Sequence, residues 1–317
     1  MRAVYLSRGQ VSVEEVPPPQ RPPGFALIRT LAAGICNTDL ELQRGYYQFE
    51  GIPGHEFVGE VLESDSKELI GCRVAGEINL SCGHCDYCIL GSPRHCENRS
   101  VLGIVKHPGA FAELLTLPDK NLHIVPSEIP DEEAVFVEPL AAARAILDQV
   151  VMNIGEQVAV LGDGKLGLLV AQALHVHGAR VTVFGHHSNK LSIVATRGIT
   201  VSKSYPHSYQ RFQYVVECTG SAAGLSTAIQ MAEPRGVIIM KSTVHEKVTI
   251  DMAPVVVNEI ALLGSRCGRF EPAIQLLRDR KIDVRPMLSA EFPLEQAPAA
   301  FAEAARKGVL KVILRNV

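Results

Sequence analysis

The stretch VAVLGDGKLGLLVAQAL, residues 158–174, constrains this chain more than any other. It passes from an apolar, strand-like run through Gly162-x-Gly164-x-x-Gly167 into a run of helical periodicity. Three glycines at that spacing mean little alone, but here they sit in the strand–turn–helix context that the pattern requires. Gly162 allows the tight turn, Gly164 lets the backbone approach a pyrophosphate, and Gly167 lets the helix pack close to the strand. The pyrophosphate would lie at the positive end of that helix. Strand and helix patterns alternate around the turn: EQVAVLG, KLGLLVAQALHVHG, ARVTVFG, NKLSIVATRG, YQRFQYVVECTG, AAGLSTAIQMA, GVIIMKST and EIALLGS. Such alternation predicts a doubly wound parallel sheet with helices on both faces, here over residues 140–267.

The preceding third has a different texture. RAVYLS, QVSVEEV, FALIRTLAAG, EFVGEVLES, RVAGEI and FAELLTL are short β-like runs, punctuated by proline and glycine as in PPPQRPPG. They predict an irregular, mostly antiparallel β domain over residues 1–139. After Gly268 come two helical runs, EPAIQLLRDR and APAAFAEAARKG, and a last strand, LKVILRNV, read as a return of the chain to the first domain over residues 268–317. Two domains suit 317 residues. A net charge of −3 supplies no field toward nucleic acid or an anionic membrane, so neither is expected as a partner. No apolar run reaches the roughly 18 residues of a membrane span. MRAVYLSRGQVSVEEV lacks the apolar segment of a secretory leader, so the expected compartment is the cytoplasm.

Thiols stay reduced there, which changes the meaning of eight cysteines: Cys36, Cys72, Cys82, Cys85, Cys88, Cys96, Cys218 and Cys267. Four fall in CGHCDYCILGSPRHC, with the spacing C-x2-C-x2-C-x7-C. Two-residue gaps turn consecutive thiolates toward a common centre, and the longer loop brings back the fourth. Cys82, Cys85, Cys88 and Cys96 therefore predict a closed, tetrahedral zinc site that pins a loop. An iron–sulfur cluster uses similar gaps, and His84 or His95 could replace one sulfur.

Further motifs lie on either side of this loop: GICNTD at 34–39, GHEFVGEV at 54–61 and EPLA at 138–141. Together with the cysteine loop and Gly162, Gly164 and Gly167, in this order along the whole chain, they resemble the zinc-dependent medium-chain alcohol dehydrogenase family, specifically its sorbitol, threonine and glucose dehydrogenase branch. The resemblance implies a Rossmann domain beside a GroES-like catalytic domain, on a chain somewhat short for the family. It implies that Cys36 and His55 ligate a catalytic zinc, a donor pair that suits that ion. The third ligand is left between two carboxylates. Glu56 follows His55 directly, and neighbours in an extended strand face opposite ways, so both can ligate only across a bend. Glu138 is the preferred third ligand, with Glu56 exchangeable or water-bridged. Asp39 is expected to orient His55 through its other nitrogen.

The implied reaction is reversible oxidation of an alcohol (a polyol, sugar or secondary alcohol) to its carbonyl compound. Zinc acts as a Lewis acid on the substrate oxygen and the hydride goes to a nicotinamide. Thr38 passes the proton, and Glu41 stands where a histidine often continues the relay. Tyr46, Tyr47 and Phe49 are candidates for the substrate pocket. By the same resemblance, pairing of nucleotide-domain sheet edges would give a homodimer or homotetramer. The rivals are a quinone or enoyl reductase of the superfamily, which generally lacks both metal sites, a zinc-containing scaffold, and a dinucleotide-binding relative without turnover.

An NAD-binding turn normally has an acidic residue about 20 positions after its first glycine. The residues there are Phe184, Gly185, His186, His187, Ser188, Asn189 and Lys190, and no Asp or Glu occurs from Gly164 to Val216. NADP is therefore expected over NAD. Gly185 would leave room for the 2′-phosphate, and His186, His187, Ser188 and Lys190 would donate to it. Lys165, Leu166, Thr219 and Arg266 complete the expected cofactor contacts.

Overall fold

A computed structural model describes residues 1–206, 211–242 and 249–316. The chain forms two compact units: Met1–Glu138 with Phe270–Val317, and Pro139–Arg269. The sequence pattern places these breaks after residues 139 and 267, one and two residues away.

In the discontinuous unit the central strand is Phe25–Gly34. It pairs antiparallel with Glu56–Glu63, with Leu114–Pro118 and with Lys311–Arg315. Arg73–Gly76 and Leu122–Ile124 extend the sheet on one side, and Leu288–Pro293 closes the other as the only parallel pairing among its described strands. Three short strands, Asn79–Leu80, Ser100–Leu102 and Lys106–His107, flank the cysteine loop. Two glycines mark close approaches. A Cβ at Gly59 would lie 2.5 Å from Ile28, and one at Gly54 would lie 2.6 Å from the Phe111 ring. Gly54 also has φ +100°, so the chain turns sharply immediately before His55.

The contiguous unit carries six parallel strands among its described residues. Their order is Thr200–Ser202, Arg180–Phe184, Gln157–Leu161, Phe212–Glu217, Ala232–Met240 and Ala261–Gly264. Val158–Leu161 are fully buried, as expected of a strand covered on both faces. The order reverses between Gln157–Leu161 and Phe212–Glu217, the switch point at which open parallel sheets take ligands. The glycine turn lies at the end of the first of these strands and leads into the helix Lys165–His177. That helix buries Gly167–Leu174 and stops at Gly178 with φ +105°. Among the described residues no helix is long and apolar enough to cross a membrane.

Candidate functional site

GICNTD folds as a helix start. Cys36 is the N-cap of the helix Asn37–Gln43, in extended backbone, and the Asp39 carboxylate accepts the Cys36 N–H at 2.8 Å. The other Asp39 oxygen accepts from Gly54 N–H at 3.2 Å and faces His55 Nδ1 at 3.4 Å. One buried carboxylate thus ties the Cys36 turn to the Gly54–His55 turn. Because Gly54 bends the chain and the strand begins only at Glu56, the side chains of His55 and Glu56 both reach the same place. The ligand atoms of Cys36, His55 and Glu56 all lie within 4.8 Å of one another. Thr38 Oγ1 is 3.8 Å from Cys36 Sγ. Glu138, half-buried near the start of the helix Val137–Arg144, stands outside this trio.

The trio suits a divalent cation on the chemistry of its donors: a sulfur, an imidazole and a carboxylate around one point. His55 Nδ1 has no hydrogen bond meeting full geometry although it is buried. Burial pushes the His55 imidazole down, but Asp39 and then Cys36 outweigh it and raise His55 well above its ordinary range. The site attracts positive charge. Sequence reasoning did not anticipate Lys311, whose fully buried ammonium pairs with Glu56. Burial pulls Lys311 down, yet Glu56 and Cys36 more than offset this, so it stays charged. Glu41, the candidate relay residue, accepts from Arg44 at 2.6 Å. The rings of Tyr46 and Tyr47 lie 4.0 Å apart, and Tyr47 is exposed at φ +59°.

The second cluster is the cysteine loop. Cys85–Cys88, Cys82–Cys96 and Cys85–Cys96 sulfurs lie 3.5, 3.5 and 3.7 Å apart. A tetrahedron of Zn–S bonds near 2.3 Å has edges of about 3.8 Å, so one ion fits and a multi-iron cluster does not. His84 and His95 are exposed and lie outside the group, leaving four sulfurs as the donors. The His84 N–H, together with that of Cys85, lowers the Cys82 thiol to about 6, whereas burial and then Cys85 push Cys88 up to about 11. Arg94 in this loop makes a two-pronged contact with Glu77, at 2.6 and 3.2 Å.

In the contiguous unit, a Cβ on Gly162 would lie 2.7 Å from Cys218 O and one on Gly167 would lie 2.1 Å from Gly162 O. Gly164 has open space beside it. Lys165 and Leu166 form the first turn of the helix, partly exposed. The Thr219 N–H is held by Glu217 at 2.6 Å, and the Arg266 carbonyl accepts from Lys241 at 3.1 Å. His186 and Ser188 are exposed and His187 half-buried, while Lys190 is nine-tenths buried.

Asp163, inside the glycine motif, was missed. Its carboxylate accepts from His186 N–H and His187 N–H, both at 2.7 Å, and faces His187 Nδ1 at 3.1 Å. Burial pushes Asp163 up, but these His187 and His186 donors prevail and hold it below its usual range. The expectation of free space at Gly185 needs correction. A Cβ there would lie 2.6 Å from Asp163, so the carboxylate already fills that space.

Two family models match the chain: an alcohol dehydrogenase GroES-like domain over residues 22–127, and a zinc-binding dehydrogenase over residues 166–279. D-altritol 5-dehydrogenase from Agrobacterium fabrum is 31% identical, with 82% of each chain covered. Sorbitol dehydrogenase from Halalkalibacterium halodurans is 25% identical across 98% of this chain and 96% of its own. Among solved structures, the alcohol dehydrogenase from Thermus sp. ATN1 has a TM-score of 0.91 at 29% identity, with 100% of both chains covered. A Sinorhizobium meliloti 1021 protein, provisionally described as a zinc-binding dehydrogenase and solved with NADP bound, has a TM-score of 0.90 at 29% identity, covering 99% of this chain and 98% of that one.

Proposed function

The chain belongs to the zinc-dependent medium-chain alcohol dehydrogenase family, and from that premise we propose how its residues divide the work. It is an oxidoreductase that uses zinc and a nicotinamide cofactor on an alcohol. Cys36 and His55 hold the catalytic zinc, and Cys82, Cys85, Cys88 and Cys96 hold a structural one. Glu138 is assigned the third catalytic place, because Glu56 is already engaged by Lys311. When bound, zinc supplies a Lewis acid for the substrate oxygen and the nicotinamide exchanges the hydride. Asp39 fixes the orientation of His55, and Thr38 takes the substrate proton at Oγ1, with Glu41 or water beyond it. The observation that carries this reading is the meeting of the Cys36, His55 and Glu56 ligand atoms within 4.8 Å of one another, with the Thr38 hydroxyl 3.8 Å from the Cys36 sulfur.

Relatives named for sorbitol, D-altritol, erythritol and L-threitol support a polyol or secondary alcohol as substrate. Gly162, Gly164, Lys165, Leu166 and Gly167 would cradle the pyrophosphate, with Thr219 and Arg266 around the rest of the cofactor. NADP is favoured over NAD because the segment 164–216 has no acidic residue. His186, His187 and Lys190 offer donors, and Asp163 holds the first two in place through their backbone. Val256 and Val257, exposed just before the edge strand Ala261–Gly264, support a homodimer or homotetramer. Light scattering tests that assembly, and fractionation of the host cell tests the cytoplasmic location. The deciding experiment for function is turnover of a polyol and secondary-alcohol panel with both nicotinamides. We expect activity that Cys36→Ser abolishes without unfolding the protein. Zinc-loaded protein that turns over none of the panel overturns the reading.

A further inference from the structure

Asp163 stands between Gly162 and Gly164 and is buried. His187 Nδ1 lies 3.1 Å from each of its oxygens, while the backbone N–H groups of His186 and His187 donate to Oδ2 at 2.7 Å. Burial opposes ionisation of Asp163, but the His187 and His186 donors prevail, so it is a carboxylate at neutral pH. An ionised carboxylate can only accept. The proton between the two side chains therefore belongs to His187 Nδ1, and Nε2 of the neutral ring keeps a bare lone pair. The His187 side chain is one-third exposed and caps the helix Ser188–Ala195, three residues past the strand Arg180–Phe184. That is where a dinucleotide turn reads the adenosine ribose. The other charged or titratable groups on neighbouring stretches are Lys190 on the same helix, and Lys203 and Tyr205 after the strand Thr200–Ser202. Tyr205 meets the His186 ring edge-on with centroids 6.5 Å apart, and burial, then Asp163 and Glu217, raise it so that it stays neutral.

We propose that Asp163 and His187 form a proton-coupled reader of the cofactor's 2′ position, in which the neutral ring accepts from the ribose 2′-hydroxyl of NAD and the protonated ring donates to the 2′-phosphate of NADP. The proposal rests on the reading of the glycine turn as a nicotinamide dinucleotide site. Its basis is a count of donors and acceptors. An ionised phosphate offers only acceptor oxygens, and so does the bare Nε2 that Asp163 imposes on the neutral ring. Two acceptors make no hydrogen bond, so His187 must gain a proton before it can hold the phosphate. The gained charge makes that bond charge-assisted, and it offsets the Asp163 charge that otherwise repels the phosphate. A 2′-hydroxyl carries its own proton and meets the neutral ring without any change of charge. NADP binding should therefore take up about one proton, and NAD binding none.

The test is calorimetric titration of the full-length, zinc-loaded protein with NADP and with NAD between about pH 7 and about pH 9, where a phosphate monoester is already mostly ionised. The Kd for NADP should rise about tenfold across that range, and the Kd for NAD should stay within about twofold. Repeating the NADP titration in buffers of different ionisation enthalpy should show the proton uptake directly. Asp163→Asn supplies the sharper readout. Its amide oxygen can take the two backbone N–H groups, which turns its NH2 toward His187 Nδ1 and moves the ring proton to Nε2. The neutral ring then donates to the phosphate, so NADP binding should lose its pH dependence and its proton uptake. His187→Gln should lose both as well, and decides alone if Asp163→Asn does not fold. A flat NADP profile in the wild type overturns the proposal, as does a slope that survives His187→Gln. NAD bound more tightly at every pH, with the NADP slope in place, overturns the NADP preference and upholds the proposal. Binding of neither nucleotide at any pH overturns the dinucleotide reading, and this proposal with it.

Discussion

Thr38 holds its hydroxyl 3.8 Å from the Cys36 sulfur, on the first turn of a helix whose start is fixed by Asp39. Thr38→Val keeps the volume and removes the exchangeable proton. Turnover should fall about a hundredfold or more, with zinc content and melting temperature unchanged, while Thr38→Ser keeps most of the rate. Equal activity in Thr38→Val would remove Thr38 from the proton path. His55 gives a second prediction, for zinc-free protein. Its folded pKa is raised, so the stability it contributes is fully present below its unfolded value of about 6.5 and is lost as pH rises through the folded value. Melting temperature of the zinc-free form should therefore decline as pH rises above about 6.5. His55→Gln should flatten that decline, and a decline that His55→Gln leaves intact would show another group to be responsible. At this scale the sequence was legible where partners are neighbours. Cys36, Thr38 and Asp39 lie in one turn, and His55 is announced by its glycine. Lys311 was not legible, because LKVILRNV reads as an ordinary strand, and the groups that receive its buried ammonium, Glu56 and the space left by Gly34, are far away in sequence. Asp163 was not legible, because the acidic residue of a dinucleotide-binding turn normally stands about 20 positions downstream of the glycine motif rather than inside it.

The cysteine loop is the element most fully readable from spacing, since four sulfurs within fifteen positions have few ways to meet except around an ion. Its two four-residue and three-residue helical turns, Asp86–Ile89 and Pro93–His95, are too short to stand by themselves. The loop therefore depends on the metal and on the Arg94–Glu77 contact. Cys85→Ser should lower the melting temperature and release one zinc, leaving the Cys36 site loaded; retention of full zinc would refute the four-sulfur site. Glu77 works in the acid direction. Burial pushes it up, but His123 and Arg94 prevail and hold it below its usual range. The stability it contributes is present above about 4.5 and lost as pH falls through its lower folded value. Elements with clear periodicity were also legible. EFVGEVLES became Glu56–Glu63, and EPAIQLLRDR became the helix Phe270–Arg278. The strand Leu288–Pro293 was not legible. Its mixed pattern, with Pro286 just before it and Pro293 as its last residue, suits a sheet-edge strand, whose outer side makes no ladder bonds, and such strands carry little signal.

At the scale of the molecule, the two units differ in how the chain enters them. The discontinuous unit is stitched from two distant stretches, and Lys311–Arg315 lies at the heart of its sheet, directly against Phe25–Gly34. The contiguous unit is one stretch, Pro139–Arg269, with its own buried core of Leu161, Phe184, Phe212, Val215, Ile229 and Ile238. Its length is that of an ordinary domain. All but one of the proposed nucleotide contacts, from Gly162 to Thr219, are local to its six strands, and the remaining one, Arg266, is also inside the stretch. A fragment spanning residues 139–269 should therefore fold alone, bind no zinc and still bind a nicotinamide dinucleotide. It should also carry the proposed preference unaided, binding NADP more tightly than NAD by calorimetric titration, because His186, His187 and Lys190 are within it. Truncation after residue 309 should do the reverse damage. It removes a central strand and the Glu56 partner together, and loss of a buried charge partner alone costs about 3–5 kcal/mol. The truncated protein should lose the catalytic zinc and become insoluble or readily proteolysed up to residue 138, while a fragment beginning near residue 139 survives. A soluble truncated chain with full zinc would show that the last strand is dispensable, and an NAD-preferring 139–269 fragment would show that Asp163, rather than the histidines it holds, dictates the cofactor.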